Sequence, residues 1–465
     1  MDSSIKNKTD KKTIIIGAGP AGLAAAYKLT GAGMKPIILE KDEVVGGISR
    51  TVIYKNYYFD IGGHRFFTRI SVVNDIWREV LGDDFLHCKR LSRIYYNNKF
   101  FHYPLRLTNA LFGLGLWSSI LIFASYLYAR FFPSKEEKTF EQWVSNRFGK
   151  RLYRTFFKSY TEKIFAMPCS EIRSEWAAQR IKGLSLNNVF IGKQSNKIKT
   201  LIKTFDYPRL GPGMMWNAVA NAVLKKGAQI NLNTEVEKIQ WSKGRIESLE
   251  ITQNGEKKVI KGTEFISSMP LQELMHKFTP SVPQSALKAA DNLKYRDFLI
   301  VALIINQSDV FPDNWIYVHD KSVRVARIQN FKNWSPYMVP DQNKTCLGME
   351  YFCFEGDDLW VMPDKELIEL GRKELETLSL VKGFEVKDGA VVRMAKAYPI
   401  YDLDYQESLQ IISRFLNGIN NLQVIGRNGM HRYNNQDHSM LTGMLAAENI
   451  MGANHNLWKL TADME

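Results

Sequence analysis

Thr13-Ile-Ile-Ile-Gly17-Ala-Gly19-Pro-Ala-Gly22-Leu-Ala-Ala-Ala-Tyr-Lys-Leu29 carries the strongest fold signal in the chain. The run Ile14–Ile16 reads as a strand, and Ala21 to Leu29 reads as an alanine-rich helix. Three glycines join them. They permit a tight turn, a close approach of backbone to a pyrophosphate, and close helix–strand packing. A second apolar run, Pro36 to Leu39, ends in Glu40, where a carboxylate can hold ribose hydroxyls, with Lys41 beside it. Glycine-rich turns also occur in plain helix–sheet packing, but strand, glycines, helix and acid together point to a dinucleotide site formed by Gly17, Gly19, Pro20, Ala21, Gly22 and Glu40.

Two further turns favour FAD over NAD. Gly46-Gly47-Ile-Ser49-Arg50 and Asp60-Ile-Gly62-Gly63-His64 each bring backbone close to a large flat ligand with no Cβ in the way. Near the other end, Gly426-Arg427-Asn-Gly-Met-His-Arg-Tyr433-Asn-Asn435-Gln436-Asp437-His438-Ser439 follows the strand-like run Leu422 to Ile425 and precedes a helical pattern from Met440 to Met451. Strand, glycine turn, polar cluster and helix deliver backbone donors and the positive end of a helix to a ligand.

Composition bounds the rest. The 465 residues are 45% hydrophobic and 12% aromatic, enough for large cores and for about two to four domains. Cys88, Cys169, Cys346 and Cys353 are scattered without metal-ligand spacing, and with no secretory signal they read as reduced thiols of a cytoplasmic protein. The net charge of +14 favours an anionic partner, although solvated surface lysines account for part of it. The lysines are dispersed and no nucleic-acid motif is present, so a phosphorylated small molecule is the economical ligand. No metal-binding pattern is present.

The pattern predicts an α/β architecture: a discontinuous Rossmann-like FAD-binding domain with a helical insert and an antiparallel-sheet substrate domain. The FAD-binding segments are placed at 11–70, 204–280 and 415–465, with a mainly helical insert at 71–203. A β-rich substrate domain covers 281–414, and residues 1–10 form a polar disordered tail. Strands are expected at Phe298 to Ile305, Trp315 to His319, Arg324 to Phe331 and Thr345 to Phe354, and Thr139-Phe-Glu-Gln142 predicts a capping box. Residues 108–129 carry no charge and have the length of a membrane span, about 20 residues. Gly113, Gly115, Ser118 and Ser119 dilute the run, and Arg106 and Arg130 flank it. A core or subunit-interface helix, a helix lying on anionic lipid, and a spanning helix all fit it.

The C-terminal cluster resembles the flavin-binding signature of UDP-galactopyranose mutases, within the superfamily that includes amine oxidases and protoporphyrinogen oxidases. Matches continue in that family's order: Gly62-Gly63-His64, Tyr103-Pro104, Glu175-Trp176 with Arg180, Gly211-Pro-Gly213 with Trp216, Ser268-Met269-Pro270, Trp315-Ile-Tyr317, Arg327 and Tyr398-Pro399. The resemblance implies a redox-neutral use of FAD, the reduced flavin attacking the anomeric carbon of a nucleotide sugar so that pyranose and furanose forms interconvert. NAD(P)H is a candidate external reductant. The alternative is an FAD-dependent oxidoreductase acting on an apolar or lipid-linked substrate.

The resemblance also assigns residues. His64, Arg180 and Arg327 are the catalytic candidates, the two arginines holding a diphosphate. Tyr103, Trp176, Tyr317, Tyr398 and Tyr433 are the substrate-binding candidates. Cofactor contacts extend to Lys41, Gly46, Gly47, Ser49, Gly62, Gly63, His64, Val236, Met269, Gly426, Arg427, Asn435, Gln436, Asp437 and Ser439. Bland readings stand beside these. Arg180 could form a structural salt bridge and Arg327 could be a surface arginine; the tyrosines could be core or rim residues. Asp437 could cap a helix instead of contacting ribityl hydroxyls, and His438 could pack rather than titrate.

Overall fold

The computed structural model describes residues 11–460 except 104, 106–108, 110–112, 175–176 and 178–202. The glycine-rich motif folds as read. Thr13–Ile16 is a fully buried strand, and Pro20–Gly31 is a helix with proline in its first turn. The strand is central in a five-stranded parallel sheet, in the order Leu422–Val424, Glu264–Ser267, Thr13–Ile16, Ile37–Leu39, Gln229–Asn231. Strands from three distant parts of the chain thus make one sheet. Both its faces are covered, as a parallel sheet requires.

On one face, helix Pro20–Gly31 lies against Gln436–Ile450 and Pro212–Lys225. Its small residues set the spacing: a Cβ on Gly443 would sit 2.0 Å from the Ala21 carbonyl oxygen, and one on Gly22 would sit 1.9 Å from that of Gly17. On the other face, Ile14, Ile16 and Leu39 meet the strands Thr234–Ser242 and Arg245–Gln253. The helices Gln284–Asp291 and Tyr405–Leu416, which the sequence places in the β-rich block, pack in this core through Ala286, Ala289, Ile412 and Leu416.

The substrate sheet has seven strands, in the order Val386–Pro399, Tyr295–Ile305, Thr345–Cys353, Arg327–Asn330, Trp315–Val318, Ser92–Tyr96, Lys99–His102. It is antiparallel except where Trp315–Val318 pairs with Ser92–Tyr96. The last two strands, with Phe85–Lys89, lie within the segment 71–203, whose other described elements are mostly helices. Their short, aromatic-rich stretches (Arg93-Ile-Tyr-Tyr96, Lys99-Phe-Phe-His102) flank an Asn97-Asn98 turn with positive φ at both residues, a hairpin signal. In Tyr295–Ile305 the odd residues Leu299, Val301, Leu303 and Ile305 enter one core, and Phe298, Ile300, Ala302 and Ile304 enter another. That period-two split decides which side chains reach the site.

The described helices between these sheets include Leu116–Phe131, Phe140–Phe148 and Ser159–Phe165. The capping box forms as expected. The Gln142 backbone N–H donates to Thr139 Oγ1 at 3.3 Å, and the Thr139 N–H donates to Gln142 Oε1 at 3.1 Å. A π-helical turn, Tyr153–Lys158, leads into the last of these helices and so sets the direction of Tyr160.

Candidate active site

A cleft of about 1060 Å³ opens at the C-terminal edge of the parallel sheet, where ligands of such sheets bind. Among its lining residues are Gly17, Gly19, Pro20, Ala21, Glu40, Lys41, Gly47, Ser49, Val236, Met269, Gly426, Arg427, Asn435, Gln436 and Ser439. Every one of these was singled out from the sequence. Two helices of twelve and fifteen residues, Pro20–Gly31 and Gln436–Ile450, start at this cleft, and neither N-cap residue, Gly19 or Asn435, makes a side-chain cap hydrogen bond. Their unsatisfied donors and positive ends suit a pyrophosphate. Glu40 is buried and accepts the backbone N–H of Ala18 at 2.7 Å and of Asp42 at 3.0 Å, which fixes its carboxylate at the cleft wall. Gln436 Oε1 is buried and without a partner among the described residues. Gly17, Gly19, Gly47 and Gly426 on the lining, paired helix starts and a fixed acid all fit a dinucleotide.

Other cofactor candidates lie behind or beyond the wall. Gly22 and Gly46 serve packing: Gly46, at φ +102°, donates its N–H to the Ala18 carbonyl at 2.9 Å. Asp437 is buried behind the wall and accepts the His438 N–H at 2.9 Å, while His438 Nδ1 lies 3.1 Å from an Asp437 carboxylate oxygen. Helix Gln436–Ile450 therefore begins four residues earlier than the apolar pattern suggested, because the polar cluster itself forms its first turn. Gly62, Gly63 and His64 face the substrate sheet. A Cβ on Gly62 would lie 3.9 Å from the Tyr398 hydroxyl, and one on Gly63 would lie 3.0 Å from Gln329 Nε2.

Opposite His64, one face of that sheet gathers cations and tyrosines. Cross-strand register aligns Tyr317 with Arg327, Arg327 with Glu350, and Arg296 with Tyr398. The rings of Tyr103 and Tyr317 are 4.3 Å apart, Tyr160 stands edge-on to Tyr317 at 5.6 Å, and Tyr398 stacks on Tyr433 at 5.7 Å. Arg427 lies over both Tyr398 and Tyr433, at 5.2 and 5.0 Å, and connects this group to the dinucleotide cleft. Arg180 and Trp176 lie outside the described residues.

Arg327 is not a surface arginine. Its Nε donates to Glu350, which is fully buried and also accepts from Gln329 Nε2 at 2.7 Å. Burial opposes the Arg327 charge, but Glu350 and the surrounding tyrosines outweigh it and hold the guanidinium above its usual range. Arg296 was missed from the sequence. It is 2% exposed, and its Nε and Nη1 have no hydrogen-bond partner among the described residues. Its guanidinium lies over the rings of Phe165, Phe352 and Tyr398 at 5.0, 4.6 and 5.0 Å. Burial pushes Arg296 down to about 10. The available signal was a charge at the mouth of an apolar strand, with Glu350 as the lone carboxylate in another.

His64 sits between these cations. Burial, then Arg427 and Arg327, push it down to about 3, so it is neutral near pH 7, and its Nδ1 is shielded and has no partner among the described residues. As a neutral imidazole it can donate one hydrogen bond and accept one, and it does not bring a positive charge. Among the described residues no group of His, Cys, Asp and Glu could hold a metal ion.

The family model for flavin-containing amine oxidoreductases matches residues 20–451. This chain belongs to that family. It is an FAD-dependent flavoenzyme of the amine oxidase superfamily, and the cleft has the features that cofactor requires. Over 65 residues it is 45% identical to an L-amino-acid oxidase of Crotalus adamanteus, which is 14% of this chain and 13% of the oxidase. It is also 26% identical over 300 residues to a 15-cis-phytoene desaturase of an Oncidium hybrid cultivar, 58% of this chain and 48% of that one. The chain thus matches less than half the length of either curated relative. The solved structure of reduced UDP-galactopyranose mutase superposes with a TM-score of 0.84 over 95% of this flavoenzyme and 96% of the mutase, at 21% identity. At that identity the likeness shows the fold.

Proposed function

We propose that this flavoenzyme is a nucleotide-sugar mutase that interconverts pyranose and furanose forms of a UDP-galactose-like substrate. The observation that carries the reading is the charge of the tyrosine site. Among the described residues Arg296, Arg327 and Arg427 converge there against one carboxylate, Glu350, which Arg327 already neutralises. An amine substrate, cationic near pH 7, meets repulsion in such a site, whereas a diphosphate is drawn in.

FAD would lie along the cleft, its pyrophosphate at the starts of helices Pro20–Gly31 and Gln436–Ile450 and a ribose at Glu40. When bound and reduced it supplies the nucleophile for exchange at an anomeric carbon, with no net oxidation. The protein's part is binding and electrostatics. Arg327, braced at Nε by Glu350, turns its Nη groups to the departing diphosphate, and Arg296 offers Nε and Nη1 donors that have no partner among the described residues. Tyr103, Tyr317, Tyr398 and Tyr433 flank the nucleotide sugar, and neutral His64 offers it a hydrogen bond without adding charge.

The alternative, oxidation of an apolar or lipid-linked substrate, draws on the curated relatives and on an exposed apolar helix. One experiment separates the two readings. The purified protein is reduced anaerobically with dithionite, NADH or NADPH, mixed with UDP-galactopyranose and related nucleotide sugars, and followed by NMR. Ring-size interconversion with the flavin still reduced supports the mutase. No turnover across the panel, with oxygen- or quinone-linked oxidation of an apolar substrate, sinks it.

A further inference from the structure

Helix Leu116–Phe131 is built inside out. Leu116, Trp117, Phe131 and Tyr128 are 81%, 73%, 73% and 65% exposed, and Ile120, Phe123 and Leu127 join them on the outside. Ser118, Ser119 and Ser125 are turned toward the protein and are only partly exposed, with Ile122 and Ala129 buried. At about 100° per residue, the exposed positions share an arc of roughly 160° that contains one charge, Arg130, at its edge. Trp117 and Tyr128 mark the opposite edge. A helix meant for water carries the reverse pattern.

We propose that this face docks the protein on an anionic lipid bilayer, with the helix lying in the plane of the interface. Length excludes a span: sixteen residues reach about 24 Å, short of the roughly 30 Å hydrocarbon core. Likewise, no helix among the described residues is long and apolar enough to cross a membrane. Charge selects the lipid. The turn Gly149–Arg151 packs on the serine flank, where the Arg151 N–H donates to Ser125 Oγ at 3.1 Å. Lys150, Arg151 and Arg154 are exposed there and form no ion pair with a carboxylate among the described residues. A polar cleft of about 620 Å³ beside the helix, lined in part by Lys99, Arg151, Ser118 and Thr155, has the chemistry for a lipid phosphate. Nearby acids are already matched: Glu137 pairs with Arg147 at 2.8 Å and Glu136 with Lys138 at 3.2 Å. A two-fold dimer through this helix would set these basic flanks near each other, whereas an anionic surface neutralises them.

The test is co-sedimentation of the flavin-loaded protein with phosphatidylcholine vesicles, with and without phosphatidylglycerol. Binding is expected on the anionic vesicles and should weaken with salt. The variant Trp117→Ser/Phe123→Ser/Phe131→Ser changes only exposed side chains, and it should lower vesicle partitioning by about tenfold or more while its flavin absorbance is retained. Lys150→Glu/Arg151→Glu should remove the preference for anionic lipid. Two results overturn the proposal. One is partitioning that is absent or indifferent to both variants. The other is a solution dimer that the apolar variant converts to monomer, which would make a second copy the occupant.

Discussion

Arg296 shows how a functional residue can work against the fold. A buried guanidinium with no carboxylate partner costs several kcal/mol, and its three aromatic contacts, about 0.5–2 kcal/mol each, offset part of that cost. Arg296→Met is therefore expected to raise the thermal midpoint. It should also weaken nucleotide-sugar binding about tenfold or more with FAD still bound. Calorimetry and a binding titration on one sample check both. Arg327 behaves oppositely, because removing it strands Glu350, which is 0% exposed. Arg327→Ala should cost about 3–5 kcal/mol in denaturant unfolding. Arg327→Met/Glu350→Gln should recover most of that stability without recovering binding; equal losses in both variants would show that the pair is not what holds the strands. The arginine and tyrosine numbers were mostly legible in the sequence through the family pattern. Arg296 was not, since the pair Arg296-Asp297 before an apolar run does not reveal that three aromatic rings and, among the described residues, no acid await the guanidinium.

At the scale of elements, the crossing of Pro20–Gly31 and Gln436–Ile450 holds the dinucleotide cleft open to its proper width. Gly443→Ala places a methyl group against the Ala21 carbonyl. It should cost about 1–3 kcal/mol and release FAD, measured as flavin lost on gel filtration. Gly33→Ala is the control, because nothing lies within 4 Å of its Cβ and only its positive φ is strained. It should keep the flavin. Both helices were visible in the sequence, one from its glycines and one from its apolar pattern. The start of the second was displaced by four residues, because Gln436-Asp437-His438-Ser439 reads as a loop until its backbone is seen to be helical. The strands Ser92–Tyr96 and Lys99–His102 went unrecognised for a similar reason: a short aromatic hairpin gains its stability from the sheet it joins.

For the whole molecule, buried histidines set the acid limit. His319 and His431 are 4% and 0% exposed, and burial pushes them down to about 3 and about 4. The unfolded chain binds these protons near pH 6.5, the native state only well below. The stabilisation is therefore present above about pH 6.5 and is lost as pH falls toward 4. Each group contributes a slope of about 1.4 kcal/mol per pH unit in that window. Asp60 acts in the other direction, since burial pushes it up to about 7 and its contribution fades as pH rises through that value. Urea unfolding between pH 4 and 7 should show stability rising with pH, and His431→Phe, if it folds, should flatten the rise. The dinucleotide motif, its cofactor class and the alternation of strands and helices were set locally, because glycine spacing and apolar periodicity act over a few residues. Three things appeared only when distant strands paired: the sheet built from both ends of the chain, the excess of positive charge over one sheet face, and the outward turn of the apolar helix. Each depends on which side of an element meets which neighbour, and a linear pattern states the period of a face but not its partner.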